Sequence, residues 1–389
     1  MVKLFRVVAI LSAFVFVGGC VTQRPTPKPV PPAEIKGEVR YEPVGWHQIA
    51  GWQGDPVQDA WPAFLNSCRA LGQRPDWTAL CAEAATAPSP RTFFESRFTP
   101  YRIVQIEGPR RIESGLITGY YEPVLRGARK PSPTYAVPLY GPPDDLLTIE
   151  LGDLFPELKG KRVRGRIQGK KVVPYYTRGE LATQPVLKGK ELVWVENAID
   201  AFFLEVQGSG RVQLTDGSTV RIAYADQNGQ PYRSIGRYLV DLGEMTLDQA
   251  SAQEIRRWVA ANPHRRQEVL NANPSVVFFR EERIDDPRVG PKGALGVPLT
   301  AGRSLAVDPQ VVPLGAPVFL ATTEPNADVP LHRLVMAQDT GGAIRGTNRG
   351  DFYWGTGPEA GESAGRMKQQ GSMWLLWPKG LALPNAASR

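Results

Sequence analysis

The stretch QDTGGAIRGTNRGDFYWGTG, residues 338–357, carries two aspartates, Asp339 and Asp351, twelve positions apart. Each stands near glycines, which permit tight turns and close backbone approach. A third aspartate, Asp308, lies upstream in LAVDPQVVPLG, residues 305–315. Two readings stand side by side. Asp beside Gly is ordinary turn chemistry. Three aspartates in one strand-rich segment also form a setting in which burial or a neighbouring carboxylate lifts a carboxyl above its usual value of about 3.9, so that it holds a proton near neutrality. The residues allow an acid catalyst without requiring one.

Outward from this stretch the pattern stays rich in strands. Short strands and Gly-rich turns run from about 294 to 377. IESGLITGYY (112–121) reads as a strand ending at Glu122-Pro123, because the residue before proline is pushed to extended backbone. RVQLTDGSTVRIAY (211–224) alternates around Asp216-Gly217, a hairpin signal, and VVFFR (276–280) reads as a buried strand. Helices are fewer. Trp61, Phe64, Leu65, Cys68 and Leu71 recur at helical spacing within Asp59–Leu71. Asp76 is expected to cap a second helix leading to Cys81. A third is expected over Thr246–Asn262, with Ser251 and Glu254 as a capping pattern, and a fourth over His264–Ala272. With 39 Gly and 36 Pro in 389 residues, the class is mainly β with helical segments, and the length calls for two domains.

The N-terminus has the layout of an export signal. Lys3 and Arg6 precede an apolar run, Val7–Val17, which is too short to span a bilayer and ends in VGGC (17–20). Small residues before Cys20 resemble a bacterial lipobox, which implies cleavage after residue 19 and lipidation of Cys20. Val21, in place of an aspartate, favours the outer membrane, on its periplasmic face. The Pro-rich segment that follows reads as an extended tether over residues 20–44. Cys68 and Cys81 remain, and an oxidising compartment permits a disulfide between them. The net charge of +7, about +5 without the first 19 residues, suits a polyanionic partner. The basic run Lys159–Lys171 is either a solvated hairpin or a binding patch. His47, His264 and His332 lack metal-ligand spacing, and no nucleic-acid-binding motif is present.

Five motifs in one order carry a resemblance. They are TGYYEP (118–123), Asp200 followed by VQGSG (206–210), YRSIG (232–236), NPSVVFF (273–279), and the 339–357 stretch with its tail GPEAG (357–361). Together they resemble the membrane-bound lytic murein transglycosylase A family, whose C-terminal part is a three-aspartate domain. The resemblance implies a double-psi β-barrel built from 45–123 and 281–389, with N-terminal helices and its three-aspartate part at 300–377. It implies a smaller β-domain inserted at 124–280 and a glycan groove between the two. It places the catalytic acid on Asp351 and supporting carboxylates on Asp339 and Asp308. Gly350 stands where the family has larger residues.

The implied activity is that of a peptidoglycan lytic exotransglycosylase, a carbon–oxygen lyase. It cleaves the β-1,4 bond between N-acetylmuramic acid and N-acetylglucosamine and leaves 1,6-anhydro ends, with no cofactor and no metal. Thr118, Tyr120, Tyr121, Gln207, Gly208 and Ser209 are the candidate substrate contacts, the last three at a strand end. Adjacent strand residues point to opposite faces, so at most one of Tyr120 and Tyr121 meets the groove. Of Tyr353 and Trp354, one is expected in the barrel and the other on the groove. The expected partners are glycan strands, the outer membrane through the lipid, and a cell-wall synthesis or degradation complex. A muramidase on the same scaffold, or a wall-binding lipoprotein without catalysis, would carry the same signals.

Overall fold

The computed structural model describes residues 37–158 and 163–384. The signal segment, Cys20 and the tether up to residue 36 lie outside them. The tether expected over 20–44 is too long at its end. Glu38–Pro43 forms strand β1, which pairs antiparallel with β2 (Phe98–Glu107) and buries Val39. Six residues beside a Pro-rich run give too short an alternation to stand out.

Between these strands lie α1 (Trp61–Leu71), α2 (Pro75–Ala84) and α3 (Pro90–Arg97). Pro75 and Pro90 each open a helix, at the position where a missing N–H costs nothing. Asp76 does not cap α2. Arg74 holds that position without a side-chain bond, and Asp76 sits in the first turn, where its charge suits the helix dipole. A disulfide joins Cys68 to Cys81 across 13 positions, a loop whose closure stabilises by roughly 3 kcal/mol in the chain-entropy account. Trp52, Phe64, Phe93, Phe94 and Phe98 are buried in one core with Phe319 and Trp374 of the later strands. Burying each such ring contributes about 2–3 kcal/mol. A short β3 (Arg110–Ile112) pairs with β2, and β4 (Gly115–Glu122) follows.

The chain then builds other sheets. β5 (Val124–Ala128) and β6 (Val137–Tyr140) join a six-stranded sheet with three later strands and β10 (Glu191–Val195). Between them β7 (Leu147–Ile149), β8 (Val163–Gln168) and β9 (Lys171–Pro174) make a separate three-stranded sheet, so the described part of the basic run is a hairpin. A single helical turn, α4 (Arg178–Leu181), precedes β10. After α5 (Ala198–Gln207) come β11 (Ser209–Leu214) and β12 (Thr219–Gln227), turning at Gly217 with φ +86°. A helical group covers one side: α6 (Ile235–Asp241), α7 (Ala252–Ala261) and α8 (Arg266–Asn271). The helix expected from Thr246 begins only at Ala252, because the Ser251 hydroxyl accepts the Glu254 amide and fixes the start there. β13 (Val277–Glu282) closes this sheet's edge.

The last part returns to the first sheet with β14 (Ser304–Val307), β15 (Pro317–Thr323), β16 (Pro330–Asp339), β17 (Gly350–Thr356), α9 (Pro358–Arg366) and β18 (Lys368–Pro378). Strands β18, β15, β16, β14, β17 and β4 follow one another, and β4 pairs back to β18, so six strands close a ring. The pairs β14–β16 and β4–β17 are parallel. The chain is mainly β with helical segments, as its sequence indicates. A buried ion pair, Arg303 with Asp55, fixes the N-terminal part on the ring; Asp55 also accepts the Leu334 amide.

Candidate active site

Strand register assembles the site. On β14 Ala306 lies opposite Asp339 of β16 on one side and Asp351 of β17 on the other. Asp351 lies opposite Thr118 of β4, and Thr118 lies opposite Lys368 of β18. One row thus crosses five strands. Ile117, Leu305, Val307 and Phe352, which alternate with these positions, fill the ring's interior. The aspartates therefore stand on the outer face of the barrel. Gly350 belongs to the inner set, and a Cβ there would come within 3.2 Å of Leu305.

Asp351 is half-buried in a niche walled by the apolar cluster of Tyr120, Leu299, Ala306, Ile344 and Tyr353. Burial is the main force on its carboxyl and pushes it up to about 6. The Thr118 hydroxyl, which donates to Oδ1 at 2.6 Å, and the Arg349 charge pull the other way, and the Asp339 charge adds to the rise. With Oδ1 engaged by Thr118, Oδ2 is the oxygen left to carry the proton. Thr118→Val removes the stronger of the two opposing pulls. The alkaline limb of the pH–rate profile should then move to higher pH, and the rate should fall roughly tenfold with the lost bond to a charged group. A limb that stays put or moves down would refute this account of Thr118.

The two companion carboxylates are occupied. Asp339 accepts the Tyr120 hydroxyl at 3.1 Å and the amides of Ala294 and Thr340 at 2.9 Å. Asp308 is buried and accepts the amides of Gly346 and Gln310, so it anchors the turn between the other two aspartates. Its action on Asp351 runs through that turn.

Sequence reasoning missed several positioning residues. Asn348 is fully buried at φ +52°, a left-handed conformation that asparagine tolerates. Its side chain, three residues before Asp351, donates to the Ile103 carbonyl and accepts the Met373 amide, which sets where β17 begins. Gln338 is fully buried and ties Ser304 to Ala63 and Ser67 of α1, fixing β16 beside Asp339. Glu122, fully buried, receives Arg211 at 2.8 Å, Arg221 at 2.6 Å and Thr356 at 2.8 Å. This clamp joins β4 and β17 to β11 and β12. In the 211–224 hairpin the two arginines alternate with Val212, Val220 and Ile222, which face that sheet's own core, so the sequence pattern assigns them to the polar face and does not announce the clamp.

The expected substrate contacts divide. Tyr120 is buried, packs on Tyr353 at 5.2 Å between ring centres and forms the acid's wall, so it offers no face to a sugar. Tyr121 points away from that wall, onto Gly361, and lines a cleft with Arg126, Asn197, Arg256 and Pro358. Gln207 and Gly208 end α5 and Ser209 opens β11, so the three stand where a helix runs into the start of a strand. Gly208 closes α5 at φ +80°, and the Gln207 side chain accepts the Tyr121 amide at 2.9 Å. Tyr353 is buried, and Trp354 is half-buried against Phe352 and Met367. A second cleft runs past Tyr353, Leu299, Thr300 and Asn66.

A barrel that presents a three-aspartate cluster on one face defines the class, and the comparisons agree. Residues 303–377 match the 3D domain, and residues 116–280 match the MltA specific insert domain. The membrane-bound lytic murein transglycosylase A of Vibrio cholerae is 34% identical over 279 residues, 70% of this chain and 68% of the relative. The crystal structure of MltA from Neisseria gonorrhoeae in its monoclinic form superposes with a TM-score of 0.76 at 36% identity, covering 92% of this chain and 98% of that one. The structure of Escherichia coli MltA with bound chitohexaose gives 0.65 at 25% identity, covering 90% and 99%. The chain belongs to the membrane-bound lytic murein transglycosylase A family.

Proposed function

We propose that this protein is a lytic transglycosylase of peptidoglycan with Asp351 as its one acid–base group. Asp351 Oδ2 gives its proton to the oxygen between N-acetylmuramic acid and N-acetylglucosamine, and that C1–O bond breaks. The carboxylate left behind takes the proton of the muramoyl 6-hydroxyl as its oxygen bonds to C1. A 1,6-anhydro end forms, the acid is restored, and water is not consumed. Holding the attacking hydroxyl in the same sugar supplies the advantage of an intramolecular reaction.

The observation that carries this reading is the contrast among the three carboxyls. Asp351 is lifted to about 6, whereas Asp339 and Asp308 are held by hydrogen bonds to backbone amides. A glycosidase of the usual kind needs a second free carboxylate as nucleophile or as base for water. The naming of the relatives as murein transglycosylases, and the chitohexaose bound by the Escherichia coli protein, support the substrate class. Mass spectrometry of products released from purified sacculi is the test. Anhydro ends are the expected result. Ends heavier by one water would make the protein a muramidase, and binding without release would make it a wall-binding lipoprotein.

The same reading places the protein on the periplasmic face of the outer membrane, anchored through Cys20. Among the described residues no helix is long and apolar enough to cross a membrane. Loss of palmitate labelling in Cys20→Ser tests the anchor; labelling that persists refutes it.

A further inference from the structure

The row that sets Asp351 beside Thr118 does not end there. The next strand over, β18, places Lys368 opposite Thr118. Residues directly opposite in an antiparallel pair share a face. The Thr118 hydroxyl reaches Asp351, so the outer face of β4 at this register is the acid's face. Lys368 therefore springs from that face, two strand spacings from the acid, which is roughly 10 Å. Its side chain is exposed, and no carboxylate pairs with it among the described residues. A second cation, Arg349, stands just before β17. Its guanidinium is held by the Leu116 and Gly350 carbonyls, not by a carboxylate, and its charge reaches Asp351. Two cations thus stand near the acid, Lys368 on the strand beyond β4 and Arg349 two residues before Asp351, reaching the Leu116 carbonyl of β4.

A neutral glycan offers such cations hydrogen-bond acceptors but no counter-charge. The muramoyl sugar differs, because the lactyl ether at its C3 ends in a carboxyl. That carboxyl is free where the peptide stem has been removed. Where the stem is present it is an amide, and carboxylates lie further along the stem. A pyranose bound at Asp351 and lying along the row toward β18 would span about half of the roughly 10 Å, and its C3 substituent would then come within reach of the lysine side chain.

We propose that Lys368, supported by Arg349, recognises a carboxylate borne on the C3 lactyl arm of the muramoyl residue at the acid, and so favours carboxylate-bearing strands over neutral ones. This rests on the transglycosylase reading. Lys368 makes no contact with the reacting atoms; it acts on binding.

The test compares the full-length protein with Lys368→Met and Lys368→Arg on three substrates: stem-bearing strands, the same strands with their carboxyls converted to amides, and strands stripped of stems by an amidase. An exposed charge pair is worth a few-fold in binding. Lys368→Met should raise KM about threefold with little change in kcat, on stem-bearing strands if stem carboxylates are read and on stripped strands if the lactyl carboxylate is read. It should change nothing on amidated strands, and Lys368→Arg should restore KM. High salt should erase the difference between parent and variant. An equal KM change on amidated strands, or no change on any strand, overturns the proposal. If the parent releases no anhydro products from any strand, the transglycosylase reading itself fails, which is a separate result.

Discussion

Asp351→Asn should abolish product release, by about a thousandfold or more, and should make the protein more stable at neutral pH. Loss of a general acid costs 10²–10⁴-fold, and here the same group also serves as the base, so the larger end applies. The stability gain follows from the sign of the pKa shift. Burial raises the folded-state value to about 6 from an ordinary 3.8. The folded protein therefore holds a proton that the unfolded chain releases, and stability contributed by this group is lost as pH rises from about 4 through 6. Above that window the buried carboxylate costs on the order of 2 kcal/mol. Asparagine stays neutral and still accepts the Thr118 bond, so it removes the cost. The parent's kcat/KM should itself fall about tenfold per pH unit above 6, because only the protonated acid reacts. Chemical denaturation at pH 5 and pH 8, beside product assays over the same range, reads all three effects. An active variant refutes the role of Asp351, and a variant destabilised at pH 8 refutes the burial account.

The aspartate cluster is legible in the sequence because its motif is local: Asp339, Asp351 and the glycines around them lie within twenty residues. How the cluster works could not be reached that way. Asp339 and Asp351 meet across Ala306, on a strand more than thirty residues upstream, and the pairing of β16 with β14 includes a register shift that no local pattern announces. The proton-holding state depends on a wall assembled from β4, β14, β17 and two loops. Gln207 shows the opposite failure. Its motif stands at the strand end that the sequence indicates, with Ser209 opening β11, but nothing in QGSG announces that a helix over Ala198–Gln207 leads into that strand. The barrel was legible in outline because strands and turns leave a period-two pattern. The strand Glu38–Pro43 was not, since its stability comes from pairing with β2 some sixty residues away. Lys368 and Asn348 carry no local signal, and their places follow from strands that meet only in the fold.

Glu122→Ala should be among the most damaging substitutions away from the acid. Among the described residues Glu122 is the only carboxylate on the two arginines of its clamp, whose side chains are 9% and 7% exposed. Their other N–H groups are bound to the Pro287 and Val289 carbonyls, so both are fixed in place by the segment that leads back into the barrel. Removing the carboxylate leaves two buried cations a short distance apart without a counter-charge, and breaking a buried pair by deleting one partner costs about 3–5 kcal/mol. That approaches the whole stability of many domains. The loss would also loosen β4 at Glu122, four residues from Thr118 on the acid's own face, so misplacement of Thr118 should follow at temperatures where the fold survives. Glu122→Gln keeps the shape but has one accepting oxygen where the carboxylate has two, so it can hold only one of the two arginines in place; it should still cost less than the alanine. Thermal unfolding of the two variants, with the pH–rate profile of whichever stays folded, separates the effects. If alanine at 122 unfolds within a degree or two of the parent, the clamp does not hold the insert to the barrel. If glutamine leaves stability near that of the parent but shifts the alkaline limb, the clamp's charge acts on the acid across the shared face, and packing alone does not explain why this carboxylate is buried there.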